Sequence, residues 1–161
     1  MAIDKHQARI TWALGQHDFL NNQYSREHRW SFDGGLVIPA SSSPGVVPLP
    51  WSAENAIDPE EALVASASSC HMLWFLDLAR QDNRVVEYYS DQASGRLGKD
   101  SSGRIAITSI TLRPEIRFSA NQGPSAEELA ELHSEAHRRC FIANTLKCPV
   151  LIEPPCPEEE R

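Results

Sequence analysis

Residues 58–79 constrain the chain more than any other stretch: Asp-Pro-Glu-Glu-Ala-Leu-Val-Ala-Ser-Ala-Ser-Ser-Cys-His-Met-Leu-Trp-Phe-Leu-Asp-Leu-Ala. Asp58 is placed to accept backbone N–H groups as an N-cap. Pro59 suits the first helical position, where its missing N–H costs nothing, and Glu61 completes a capping box. The first half of the stretch is then built of Ala and Ser, the second of Leu, Met, Trp and Phe. The small residues let other backbones approach closely. A helix from Pro59 to about Gln81 that is apolar nearly all round is expected to be buried. Cys70, followed by His71, sits in its middle. The helix dipole acts mainly on the first turn, so it cannot activate a thiol at this depth. An active thiolate at Cys70 therefore needs a cation from elsewhere in the chain.

A chain of 161 residues suggests one domain, and a core can form at that length without staples. The net charge is −7, with acidic residues at Glu127, Glu128, Glu131, Glu135 and Glu158 to Glu160. No basic stripe is present, which argues against nucleic acid as a partner. The longest apolar run, near Met72 to Ala79, is interrupted by Asp77 and is too short to span a bilayer. The first seven residues lack the apolar stretch of a signal peptide. The expectation is a cytoplasmic protein without a membrane partner. In that compartment four cysteines point to thiols, redox centres or metal ligands rather than to a disulfide framework.

Along the chain, residues 9–14 and 24–32 read as strands, with Asp33-Gly34 as a hairpin turn leading to a partner at 36–40. Residues 41–55 are rich in Ser, Pro and Gly and read as a long loop, pinned by Leu49 and Trp51 and long enough to suggest a functional or interface role. After the helix, 84–97 and 104–118 read as two long antiparallel strands, with Pro114 marking an edge or a bulge. Residues 121–124 are a breaker, and Ser125 with Glu128 forms a second capping box. Leu129, Leu132, Ala136 and Cys140 then share one helix face, with the helix ending near Asn144. Residues 150–153 are a short last strand, and 154–161 a flexible acidic tail. The class is α+β, an antiparallel sheet with two main helices, in one domain spanning 1–161.

Cys70 and Cys140 each fall on a predicted buried helix face. A buried thiol is ordinarily inert packing. Two of them on the only two long predicted helices form a redox pair only if the helices bring the Cβ atoms near disulfide range. Here a resemblance becomes specific. The run from Asp58 to His71, with the Pro-Glu pair ending ten residues before Cys70, and the later Ala136-His-Arg-Arg-Cys140-Phe-Ile-Ala-Asn144 resemble the OsmC/Ohr family of cysteine-based hydroperoxide reductases. The resemblance covers residues 24–153 and includes the order of strands and helices.

It implies an OsmC-like fold with two central helices, an intertwined homodimer with active sites at the subunit interface, an organic hydroperoxide as substrate and a dithiol as reductant. No cofactor or metal is implied. It implies Cys70 as the peroxidatic cysteine, Cys140 as the resolving one, and an Arg from an early strand paired with Glu60. The Gly-Gly-Arg pattern of the hydroperoxide-resistance branch is absent, and Tyr24-Ser-Arg26-Glu-His-Arg29-Trp stands in its place. Arg26 is the better match and Arg29 the second. Residues three apart face opposite sides of a strand, so only one can point at the thiol. Cys148 precedes a proline as in other members, but lies beyond the helical stripe. Cys156 sits among prolines in the tail.

The chemistry agrees with these residue types. A guanidinium beside the sulfur lowers its pKa and steadies the leaving oxygen, and a carboxylate such as Glu60 holds the guanidinium by a bidentate pair. Attack on a peroxide gives a sulfenic acid at Cys70, and condensation with Cys140 forestalls over-oxidation. An apolar lining of Met72, Trp74, Phe75, Phe141 and Trp51 would favour organic hydroperoxides. Two rival readings use the same residues. One is a non-catalytic dimer that binds a small molecule or lipid; the other is a metal site built from His71, His133, His137 and Cys140.

Overall fold

The structure is a computed structural model that describes residues 5–120 and 123–153. The expected tail, with Cys156, lies outside the described residues, as do two positions of the predicted breaker. The chain divides into two compact units, residues 1–62 and 63–161.

The first unit holds an antiparallel sheet in the order β1 (Ala8–Thr11), β2 (His28–Phe32), β3 (Val37–Ala40). Its register sets Trp30 opposite both Ile10 and Ile38. The Asp33-Gly34 turn forms as read, and Gly35 takes φ +84°, a left-handed conformation that glycine adopts without strain. Both early strands are shorter than the sequence suggests. The segment between them closes on an aromatic cluster instead, with Tyr24 stacked on Phe19 at 4.7 Å and edge-on to Trp12 at 5.6 Å. Residues 41–55 contain no helix or strand. The loop is held by Ser41, whose N–H donates to Ile57 O at 3.0 Å and whose hydroxyl accepts from Ala53 N at 3.0 Å. Trp51 packs edge-on to His17 at 5.8 Å, whereas Leu49 is half exposed.

Helix α1 runs Pro59–Gln81, and its predicted capping box is present. Asp58 Oδ1 accepts from Glu61 N at 2.7 Å, and Glu61 Oε2 accepts from Asp58 N at 3.3 Å. By length and composition this helix could cross a membrane, which the shorter apolar run from Met72 does not suggest. One stripe of it packs into the core. Ala67 joins Ile110 and Leu112 in one apolar cluster, and Phe75, Leu78 and Ala79 join Leu132 and Ala136 in another. Burial is confined to the stripe Ala67, His71, Phe75, Leu78, Ala79. The expectation of burial all round is corrected by Ala65, Ser69 and Leu73, which are exposed on another face.

The two long strands predicted after α1 are four. Strands β4 (Val86–Asp91) and β5 (Ser94–Lys99) replace the first, and β6 (Ile105–Leu112) and β7 (Pro114–Phe118) the second. Strand β4 pairs with β7, and β5 with β6 in a separate sheet. Asp91 builds the corner. Its Oδ1 accepts from Arg113 N at 2.6 Å and its Oδ2 accepts from Ser68 Oγ at 2.5 Å. Pro114 opens β7 at this break, a position where a strand tolerates the missing donor. Strand β8 (Val150–Ile152) adds to β6 in parallel, whereas the other described strand pairs are antiparallel.

Helix α2 runs Ala126–Arg139 behind its Ser125/Glu128 capping box. It stops short of the expected end near Asn144. Cys140 turns out of the helix with φ −65° and ψ 111°, and a short α3 comes next at Phe141–Thr145. The thiol of Cys140 caps that new helix by accepting from Ala143 N at 3.4 Å.

Candidate active site

The break after α2 brings Cys140 against α1. Cys70 is close enough to Cys140 to act on its thiol. Both are free thiols, as is Cys148, which packs beside the Ala67 cluster. Cys70 is half-buried, whereas Cys140 is 1% exposed. Burial pushes the Cys140 thiol up to about 11, and its Cys70 neighbour adds to the effect against the opposing N–H of Ala143. Cys140 is therefore a protonated thiol at neutral pH.

Trp74, one turn beyond Cys70, meets Phe141 edge-on at 5.5 Å. Phe75, expected in the same lining, belongs to the core: it is fully buried against Tyr89, Phe118 and His133. The guanidinium of Arg139 stands 5.7 Å from the Trp74 ring centroid and is tied to Glu135, which also takes Arg138. Arg139 is not among the residues singled out from the sequence, although Arg138-Arg139-Cys140 sets a cation next to a cysteine.

A second polar group lies on the same helices. His71, 1% exposed, places Nε2 at 3.0 Å from His133 Nδ1, with the rings stacked at 5.3 Å and 12°. Burial holds His71 down to about 4, helped by the neighbouring His133 and His137. Burial likewise holds His133 down to about 4, against an opposing influence from Asp91. Buried Nδ1 of His71, Nδ1 of His137 and the hydroxyl of Tyr89 have no hydrogen-bond partner. Among the described residues no three His, Cys, Asp or Glu side chains converge to hold a metal ion. The spacing of His133, His137 and Cys140 that suggested ligands serves other contacts: His133 bonds His71, and Cys140 meets Cys70.

In the first unit, Arg26 precedes β2 rather than lying in it, so strand alternation does not relate it to Arg29. Its guanidinium donates to Tyr24 O and Asn22 Oδ1, both at 2.5 Å, and lies 3.7 Å from the Tyr24 ring centroid. Arg29 is exposed on β2, opposite Thr11 and Pro39. Glu60 is half-buried in the first turn of α1. Among the described residues no ion pair joins Glu60 to Arg26 or Arg29 within the chain, because neutral acceptors occupy Arg26.

This α+β fold and paired-thiol geometry define a class. The chain belongs to the OsmC-like protein family, whose model matches residues 52–154. It is similar to an OsmC-like protein of unknown function from Vibrio cholerae, at 47% identity and a TM-score of 0.93, over 95% of this chain and 100% of that one. Its fold is shared with an organic hydroperoxide resistance protein from Elizabethkingia anophelis, at 17% identity and a TM-score of 0.70, over 95% of each chain. It is also shared with an organic hydroperoxide resistance protein of Bacillus subtilis, at 17% identity and a TM-score of 0.67, over 96% of this chain and 100% of that one. No curated protein matches the sequence.

Proposed function

We propose that the protein is a cytoplasmic thiol-dependent peroxidase that reduces organic hydroperoxides, working as a single OsmC-like domain in an intertwined homodimer. The proximity of Cys70 to Cys140, close enough for one thiol to act on the other, carries this reading. In it, the Cys70 thiolate attacks one peroxide oxygen and the other leaves as an alcohol. The resulting sulfenic acid condenses with Cys140 to a disulfide and water, and a dithiol reductant restores both thiols. Arg26 is the proposed cation for the thiolate and the leaving oxygen, with Arg29 as the alternative and Glu60 as the orienting carboxylate. The exposed face of α1 at Ala65, Ser69 and Leu73 supports a second copy of the chain as its cover.

Replacing Cys70 by Ser is expected to abolish peroxide consumption. Cys140→Ser is expected to leave an enzyme that over-oxidises at Cys70, read by intact mass. Full dithiol-dependent turnover by Cys70→Ser would rule the reading out. One observation favours a second reading, a non-catalytic binder of a small apolar molecule or lipid. A groove of about 520 Å³ beside α2 is lined by Pro114, Ala126, Leu129, Ala130 and Ile152, with His133 and Glu153 among its polar groups. Peptide mapping after mild peroxide treatment separates the two. A Cys70–Cys140 disulfide favours the enzyme, and two unmodified thiols favour the binder.

A further inference from the structure

We propose that the outer face of the sheet β5–β6–β8 carries a binding site for a phosphate group, formed by Ser94, Arg96, Ser109, Thr111 and Arg113. The site uses neither Cys70 nor Cys140 and goes beyond the peroxidase reading. Strand alternation separates it from the core. Ile110 and Leu112 of β6 pack with Ala67 of α1. Ser109 and Thr111 therefore face the other way. The register sets Ser94 opposite Thr111 and Arg96 opposite Ser109, so β5 and β6 bring these four side chains to one face. Arg113, just past β6, and Glu153, just past β8, complete a cleft of about 470 Å³.

The donors of this cleft are held in position, and several have nothing to bind. Arg113 donates to Ser94 Oγ at 3.0 Å and pairs with Glu153 at 3.1 Å. Because Ser94 accepts there, its own proton can donate into the cleft. Among the described residues no carboxylate, carbonyl or ring engages the Arg96 guanidinium, and the hydroxyls of Ser109 and Thr111 have no hydrogen-bond partner. Thr111 is only 9% exposed. Valine suits such an enclosed strand position equally well, so packing does not account for the hydroxyl. What enters the cleft is the acceptor within its reach.

Charge selects the kind of ligand. The whole chain carries −7, yet this cleft sets two guanidiniums against one carboxylate. The two guanidiniums repel a metal cation, and the hydroxyls are poor company for an apolar molecule. A planar guanidinium fork joined by O–H donors from separate strands matches a tetrahedral oxyanion, whose oxygens accept from several directions at once. The cleft is larger than inorganic phosphate. A phosphate monoester fits it with the phosphate on the donors and its organic part towards solvent.

The test titrates the full chain with inorganic phosphate and, separately, with glycerol phosphate at constant ionic strength, following backbone amide shifts by NMR. Saturable shifts confined to β5, β6 and β8 are expected. Arg96→Gln should weaken binding at least about tenfold and Thr111→Val about threefold. Arg104→Gln, a control at a cation tied to Asp100 outside the cleft, should leave binding unchanged. Glu153→Gln removes the negative charge from the cleft and should tighten binding, a direction that damage to the fold does not produce. Tighter binding of the ester than of inorganic phosphate would mark an organic phosphate as the ligand. Equal binding would mark the free ion. Either result supports the site. Absence of saturable shifts with both probes would overturn it, as would unchanged affinity in Arg96→Gln, equal weakening in Arg104→Gln, or looser binding in Glu153→Gln. Peroxide consumption is a separate measurement, so each of these outcomes leaves the peroxidase reading where it stands.

Discussion

Burial marks Cys140 and His71 in opposite directions, because each is held in its neutral form. For Cys140 this means a thiol slow to react as a nucleophile. Its alkylation by iodoacetamide should rise about tenfold per pH unit and keep rising to about pH 11, as read by mass-mapped labelling. For His71 it means a stability that depends on acid. The folded value near 4 lies below the ordinary 6.5, so the unfolded chain binds the proton first. Stability is fully present above about pH 6.5, falls as the pH drops towards 4, and levels below that. The loss from His71 is on the order of 3 kcal/mol. Urea melts across this window should show it, and His71→Phe should flatten the slope even if it changes the overall stability.

Elements meet closely where the first half of α1 crosses β5. A Cβ added at Gly95 would come within 2.7 Å of Val64 Cγ2. Gly95→Ala should therefore destabilise the protein by about 1–3 kcal/mol through overpacking. Val64→Ala in the same chain should recover part of the loss in a denaturant titration, which a purely backbone effect at Gly95 would not allow. The start of α1 makes a second prediction. Asp58→Ala removes the acceptor for Glu61 N and half of the capping box, at a cost of about 1 kcal/mol in the same titration. The corner at Asp91 shows why element boundaries escaped the sequence. The residues of 84–97 and 104–118 have strand character throughout. The bend comes from a carboxylate on β4 capturing the backbone N–H of Arg113, between β6 and β7, with Ser68 of α1 as its third party.

At the scale of the whole molecule, the exposed apolar face of α1 makes the prediction. Leu73 is 61% exposed in the middle of an otherwise apolar helix. If a second copy covers that face, Leu73→Glu should convert a dimer into a monomer in light scattering coupled to size exclusion, with its far-UV spectrum unchanged. A dimer that persists in the variant would place the association elsewhere.

Sequence alone determined what depends on neighbours along the chain: both capping boxes, the span of α1, the Asp33-Gly34 turn and the buried stripe of α2 that ends on Cys140. The family likeness was legible for the same reason, since its motifs are contiguous runs. Tertiary structure alone decided the rest. It broke α2 at Cys140, used that sulfur to cap α3 and set it against Cys70. It folded two long strands into four and gave His133 to His71. Those outcomes turn on which buried groups find partners across the core, and linear spacing cannot say which partners meet.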